Sequence, residues 1–144
     1  MTGPGCIFCD IGRGQAPASI VYADQHVLAF MDIQPVTPGH LLIVPRVHAE
    51  YLSALDKETG GRLFQAGMRM AAAIRRSGIP CEGVNLHLAD GRAAGQEVSH
   101  VHLHVIPRFH GDGFSLRFGP QYYDLPDRTT LENTAADIRR ALEE

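Results

Sequence analysis

Basic charge, cysteine and long apolar runs are all scarce in this chain of 144 residues, and each scarcity removes a class of function. Lys and Arg number 13 against 16 Asp and Glu, for a net charge of −3, and they are scattered along the chain. A general nucleic-acid surface needs a basic patch, so no nucleic-acid polymer is expected as a partner and any anionic ligand must be held by a local site. Three cysteines are too few for a disulfide framework, and an odd count in a reducing compartment points to metal binding or simple burial. Cys81, alone before Glu82, reads as an ordinary half-buried residue. Apolar runs such as Leu41-Leu42-Ile43-Val44 are far too short to cross a bilayer, so no membrane partner is expected. The start, Met1-Thr2-Gly3-Pro4-Gly5-Cys6, lacks the basic stretch and apolar segment of a secretory signal, which makes a cytoplasmic location the default expectation.

What remains is ordinary for one globular domain. Hydrophobic residues make up 44% and charged residues 20% of the chain, and a domain of this length buries roughly two-thirds of its unfolded surface. No repeat or linker divides it, so residues 1–128 read as the main domain and 129–144 as an added helix. Strand candidates lie at 20–22, 26–31, 40–44, 84–88 and 99–106, each bounded by turn-forming residues. Between the third and fourth, residues 56–77 read as a helix with Leu63, Gly67, Met70, Ala71 and Ile74 on one face, ended by Gly78 and Pro80. In the terminal helix Thr129 and Glu132 have capping-box spacing, and Leu131, Ala135, Ile138 and Leu142 form one stripe. The pattern is α+β: a mostly antiparallel sheet of about five strands with a long helix and a C-terminal helix.

The densest chemistry lies in His100-Val101-His102-Leu103-His104-Val105-Ile106-Pro107. On a strand this alternation puts the three imidazoles on one face, about 6.6 Å apart along the edge, and turns Val101, Leu103 and Val105 toward a core. Three readings stand: a polar strand face with local hydrogen bonds, three ligands of one metal, or a central histidine nucleophile flanked by orienting and anion-contacting neighbours. No carboxylates follow the row to complete a two-metal cluster. The loop 90–96, rich in Gly and Ala, runs almost directly into it and could bring backbone N–H groups to phosphate oxygens.

A second motif, Cys6-Ile7-Phe8-Cys9, has the spacing of two thiolates sharing a metal. His48 and one end of the histidine row are the available nitrogen donors, giving a closed Cys2His2 zinc site of structural type. A reduced pair without metal is the alternative. A redox role is disfavoured because such motifs sit at a helix start, whereas this one falls in what reads as an unstructured terminus.

The row fits the His-φ-His-φ-His-φ-φ signature (φ apolar) and resembles the histidine triad superfamily. Cys6-Ile7-Phe8-Cys9, Phe30-Met31-Asp32-Ile33, the run from Pro38 to Pro45, and Asn85 through Gly95-Gln96-Glu97-Val98 follow the order of its bacterial Hint-like branch, over about residues 6–108. The resemblance implies an α+β homodimer that binds purine nucleoside phosphates and cleaves at the α-phosphorus of nucleoside phosphoramidates or adenylylated compounds. His102 would be the nucleophile, oriented by the His100 carbonyl. His104 would contact the phosphate, His40 would support it, and Gln96 would hold phosphoryl oxygens. Asp32 would take the ribose hydroxyls and Phe8, Phe30 and Ile33 the purine, although as residues those three read as core and His40 could equally be a core histidine. Zinc would fall to Cys6, Cys9, His48 and His100. The resemblance also leaves open a dinucleoside polyphosphate hydrolase, or a zinc-stabilised nucleotide-binding module with little activity. Two departures matter: Ala89 stands where the family usually has Asn, with Asp90 or Arg92 as possible substitutes, and Ser99 replaces an aromatic residue, opening space beside the site.

Overall fold

The computed structural model of the protein describes residues 5–144. The chain runs α1 (Ile7–Gly12), β1 (Ile20–Ala23), β2 (Val27–Met31), β3 (Leu41–Pro45), α2 (Lys57–Arg76), β4 (Gly83–His87), β5 (Leu103–Arg108) and α3 (Arg128–Leu142). The strands form one sheet in the order β1-β2-β3-β5-β4, and every neighbouring pair is antiparallel. The α+β reading with five strands is therefore what the chain adopts.

Two apolar layers hold the sheet. On one face Val27, Ala29, Leu41, Ile43, Leu103 and Val105 pack against Leu63, Ala66, Met70 and Ile74 of α2. On the other, Leu28, Phe30, Leu42 and Val44 meet Phe8 and Ile11 of α1. Strands β2 and β3 are thus buried on both sides, which is why they read as unbroken apolar runs. Burying side chains of this size contributes about 2 kcal/mol each. Helix α2 begins where the Asp56 carboxylate accepts the Thr59 N–H at 2.8 Å, and its last turn carries Arg75 and Arg76 against the carbonyl end of the dipole. Its buried face holds Ala66 where the sequence pointed to Ala71. Gly67 lets α2 approach the histidine strand: a Cβ there would lie 3.1 Å from Leu103 Cδ2.

Three local expectations change. Pairing of the last strand begins at Leu103, not at residue 99. Residues before it are held elsewhere, His100 N–H donating to the Val98 carbonyl and Val101 N–H to the Ala49 carbonyl, each at 2.8 Å. Cys6-x-x-Cys9 does not lie in an unstructured terminus; Cys6 caps α1, its Sγ accepting the Cys9 N–H at 3.5 Å. The cap of α3 is Asp127, which accepts the Thr130 N–H at 2.8 Å, instead of Thr129.

The chain divides into a compact unit ending at Gly113 and a second, Phe114–Glu144, which groups residues 114–127 with α3. In the second unit Phe118 stacks on Tyr122 at 4.1 Å between ring centres, and Leu131, Ile138 and Leu142 are exposed. Among the described residues no helix is long and apolar enough to cross a membrane.

Candidate functional site

The registers place a line of side chains across the sheet. Phe30 on β2 pairs with Leu42 on β3, Leu42 with His104 on β5, and His104 with His87 on β4. Cross-strand partners point to the same face, so this line runs from the apolar layer under α1 to the edge strand. His102 lies beside it, its ring 5.0 Å from that of His104 and 5.2 Å from Phe8.

His102 is buried, and its Nδ1 lies 2.8 Å from the His100 carbonyl oxygen. A carbonyl only accepts, so Nδ1 carries the proton and Nε2 keeps its lone pair. That is the tautomer a nitrogen nucleophile requires.

A second chain of contacts fixes His104. The Val36 N–H donates to His40 Nδ1 at 3.0 Å, which leaves the proton of a neutral His40 on Nε2. His40 Nε2 then donates to His104 Nδ1 at 2.9 Å, with Asp32 Oδ2 at 3.5 Å from the same nitrogen. His104 consequently bears its proton on Nε2, the nitrogen facing away from His40. His40 is itself buried, as a core histidine would be, while its Nε2 reaches the histidine row at His104. It is delivered by the turn before β3, where Gly39 has φ +93° and a Cβ would meet Ile79 Cγ2 at 3.0 Å and Pro107 Cγ at 3.1 Å. Thr37 anchors the same turn by donating its hydroxyl to the Pro107 carbonyl at 2.7 Å.

Burial, then the nearby His102, His40 and His87, push the pKa of His104 down to about 4; burial likewise lowers His40, against a smaller opposing pull from Asp32. Above pH 6.5, the ordinary value, His104 is neutral in folded and unfolded chains alike and its contribution to stability is fully present. As pH falls from there toward 4, the unfolded chain takes a proton the folded His104 refuses, and stability is lost. Urea denaturation is expected to show a loss of about 3 kcal/mol across that window from this residue. His104→Gln should flatten the slope; an unchanged slope would assign the loss to other groups.

Gln96 does not fill the role expected of it. Its Nε2 donates to the Glu50 carbonyl at 2.7 Å and the Val98 carbonyl at 3.0 Å, and its Oε1 accepts the Gly91 N–H at 2.7 Å. Both amide protons are spent on backbone, so the side chain braces the 91–98 loop and leaves none for a phosphoryl oxygen. Of the two substitutes considered for the missing amide at Ala89, Asp90 is engaged, accepting the Leu52 N–H at 2.9 Å, while Ala89 itself is buried.

Phe8 and Phe30 lie edge to face at 5.5 Å in the α1 layer, and Ile11, which sequence reasoning passed over, joins them. Ile33 does not belong to that core: it is 99% exposed, two residues beyond the end of β2. Asp32 beside it accepts the Gln34 N–H at 2.8 Å through Oδ1. His87 was also missed; its strand position was legible, but its pairing with His104 depends on strand order, which local pattern does not carry.

Cys6, Cys9, His48 and His100 converge, with one ligand atom from each lying within 4.8 Å of all the others. Cys6 Sγ is 3.3 Å from His100 Nδ1, and Cys9 Sγ is 3.4 Å from His48 Nδ1 and 3.6 Å from His100 Nδ1. A zinc tetrahedron with ordinary Zn–S and Zn–N lengths has S···N edges of about 3.6 Å. His100 Nε2 donates to the Pro45 carbonyl at 2.8 Å, which turns the lone pair of Nδ1 toward the sulfurs, the outer hydrogen bond that metal-binding histidines use. The donor set therefore fits a zinc ion. Because both ring nitrogens of His100 are engaged here, only its carbonyl reaches His102 in the histidine row.

A family model described as HIT domain matches residues 13–111. Protein hit of Bacillus subtilis is 46% identical over 138 residues, spanning 95% of this chain and 94% of that protein. A HIT family protein from Bacillus anthracis has a crystal structure that superposes with a TM-score of 0.87 at 39% identity, covering 97% of this chain and 99% of that one. A zinc-bound histidine triad family protein from Mycobacterium smegmatis gives 0.75 at 39% identity, covering 95% and 97%. A histidine triad nucleotide-binding protein from Candida albicans gives 0.84 at 26% identity, covering 96% and 98%.

Proposed function

The chain belongs to the HIT family, and on that premise we infer that it hydrolyses purine nucleoside phosphoramidates or related adenylylated compounds through a nucleotidyl-histidine intermediate. The observation that carries this reading is the 2.8 Å contact from His102 Nδ1 to the His100 carbonyl, which leaves Nε2 unprotonated. His102 Nε2 attacks the α-phosphorus, the bond to the leaving group breaks with its electron pair going to that group, and water then cleaves the phosphorus–nitrogen bond to release nucleoside monophosphate. His104 Nε2–H supplies a hydrogen bond to a phosphoryl oxygen or the departing atom, and His40 with Asp32 holds that proton on the outer nitrogen. Backbone N–H groups of the loop that Gln96 braces are the further oxyanion donors. The purine lies against Phe8, Phe30 and Ile33, and the ribose hydroxyls reach Asp32.

Cys6, Cys9, His48 and His100 would hold a zinc ion, and because four protein ligands leave no position for substrate, the ion would supply stability and not chemistry. A homodimer accords with β4 standing at a sheet edge and with Phe64 and Met68 exposed at 56% and 60% on α2.

Ala89 favours a second reading, a zinc-stabilised nucleotide-binding module with little turnover, because the buried methyl offers substrate no amide. Chromatography of products from adenosine 5′-phosphoramidate and from diadenosine polyphosphates separates the readings. AMP released from the phosphoramidate supports the hydrolase, and faster cleavage of the dinucleotides moves it to the polyphosphate branch. AMP bound without turnover of either substrate leaves the binding module.

A further inference from the structure

His87 takes no part in the chemistry of the histidine row, yet it completes the line of side chains across the sheet. It stands directly opposite His104 on the edge strand, with the two rings 5.6 Å apart. Its side chain is exposed, and among the described residues its ring has no hydrogen-bond partner. Along the same face of β4, Asn85 lies two residues away, about 6.6 Å along the strand. Asn85 Oδ1 accepts from the Arg108 guanidinium at 2.6 Å, so the free side of the Asn85 amide is its NH2 group. Beyond His104 the edge therefore offers donors in succession: an imidazole N–H, which histidine carries in either protonation state, and then an amide NH2.

The direction of the line decides what those donors would meet. Phe8 and Phe30 lie at one end, His102 and His104 come next, and His87 is three strand spacings from Phe30, about 14 Å. A nucleotide laid with its base at Phe30 and its α-phosphorus at His102 directs its leaving group past His104 toward His87. Resting on the nucleotidyl-transfer reading, we propose that His87 is a specificity-determining residue. It donates a hydrogen bond to an anionic oxygen, of carboxylate or phosphate, borne by the leaving group.

The test compares kcat/KM for three substrates of one nucleotide: an adenosine phosphoramidate of an uncharged amine, one of an amino acid with its carboxylate free, and diadenosine triphosphate. His87→Ala is expected to lower kcat/KM about tenfold for the substrates with anionic leaving groups and less than about twofold for the uncharged amine, the size of one lost hydrogen bond to a charged acceptor. His87→Gln, which keeps a donor, should recover most of the loss. Whichever anionic substrate shows the larger ratio identifies the source, carboxylate or phosphate. Equal losses on all three substrates, or none, would overturn the proposal while leaving the hydrolase reading intact. If the unaltered protein cleaves none of them, the hydrolase reading falls and the proposal with it. Circular dichroism of both variants should match the unaltered protein, because the ring is exposed.

Discussion

His102→Ala is expected to lower kcat on an adenosine phosphoramidate by about 10⁴-fold or more, the scale on which loss of a covalent nucleophile is felt, while AMP still binds. The reason lies in the direction of one hydrogen bond. With Nδ1 committed to the His100 carbonyl at 2.8 Å, the whole nucleophilic capacity of the ring resides in Nε2, and no neighbour can replace it. His104 has its Nδ1 occupied by His40 and a proton on Nε2, and the ring nitrogens of His100 belong to the sulfur cluster and Pro45. Truncating a side chain packed against Phe8 also opens a cavity, so His102→Gln serves as the companion variant that keeps volume but offers no attacking nitrogen. Acid quench of the unaltered protein during turnover should trap label on one histidine, and neither variant should trap any. Activity within tenfold of the unaltered protein in both variants would remove His102 from the nucleophile's role.

Removing metal should show a different signature. Stripping zinc with a chelator, or replacing Cys9 with Ser, is expected to lower the melting temperature by about 10 °C or more, because a closed four-ligand site adds its binding free energy to folding. Cys9 and His100 are buried, and their ligand atoms face one another across distances that suit an ion. Metal analysis should find one zinc per chain in the unaltered protein and substantially less in Cys9→Ser. Calorimetry and activity, followed together through the chelator titration, separate stability from chemistry. Lost activity at unchanged melting temperature would make the metal a catalytic one.

The parts of this molecule legible in sequence are those written locally. The alternation through His100 to Val105 set out the two faces of the strand, and the 3.6-residue period with Asp56 and Ser77 at its ends bounded α2 almost to the residue. Strand beginnings were harder, since residues 99–102 keep the alternation while their backbone bonds run to Val98 and Ala49 in place of a β partner. Side-chain roles that depend on backbone partners from elsewhere were not legible. Gln96 looks like a phosphate ligand until Glu50, from 46 residues away, claims its amide. His87 becomes informative only when strand order brings it opposite His104. The short helix at Cys6 is set by a thiol cap, which the turn-rich sequence around it concealed. Its position removes helix placement as an argument against redox chemistry, and what supports the metal reading is the pair of imidazole nitrogens beside the thiols.

His100 is held at three points at once: Nδ1 in the sulfur cluster, Nε2 on Pro45, and the carbonyl on His102. Substitutions at the cluster and in the row accordingly share a part, and their effects cannot be independent. A double-mutant cycle between Cys6 and His102 measures that dependence directly. For transplantation the consequence is that grafting the row alone into another scaffold would leave behind the thiols, Pro45 and His48 that hold His100, and with it the carbonyl that aims His102.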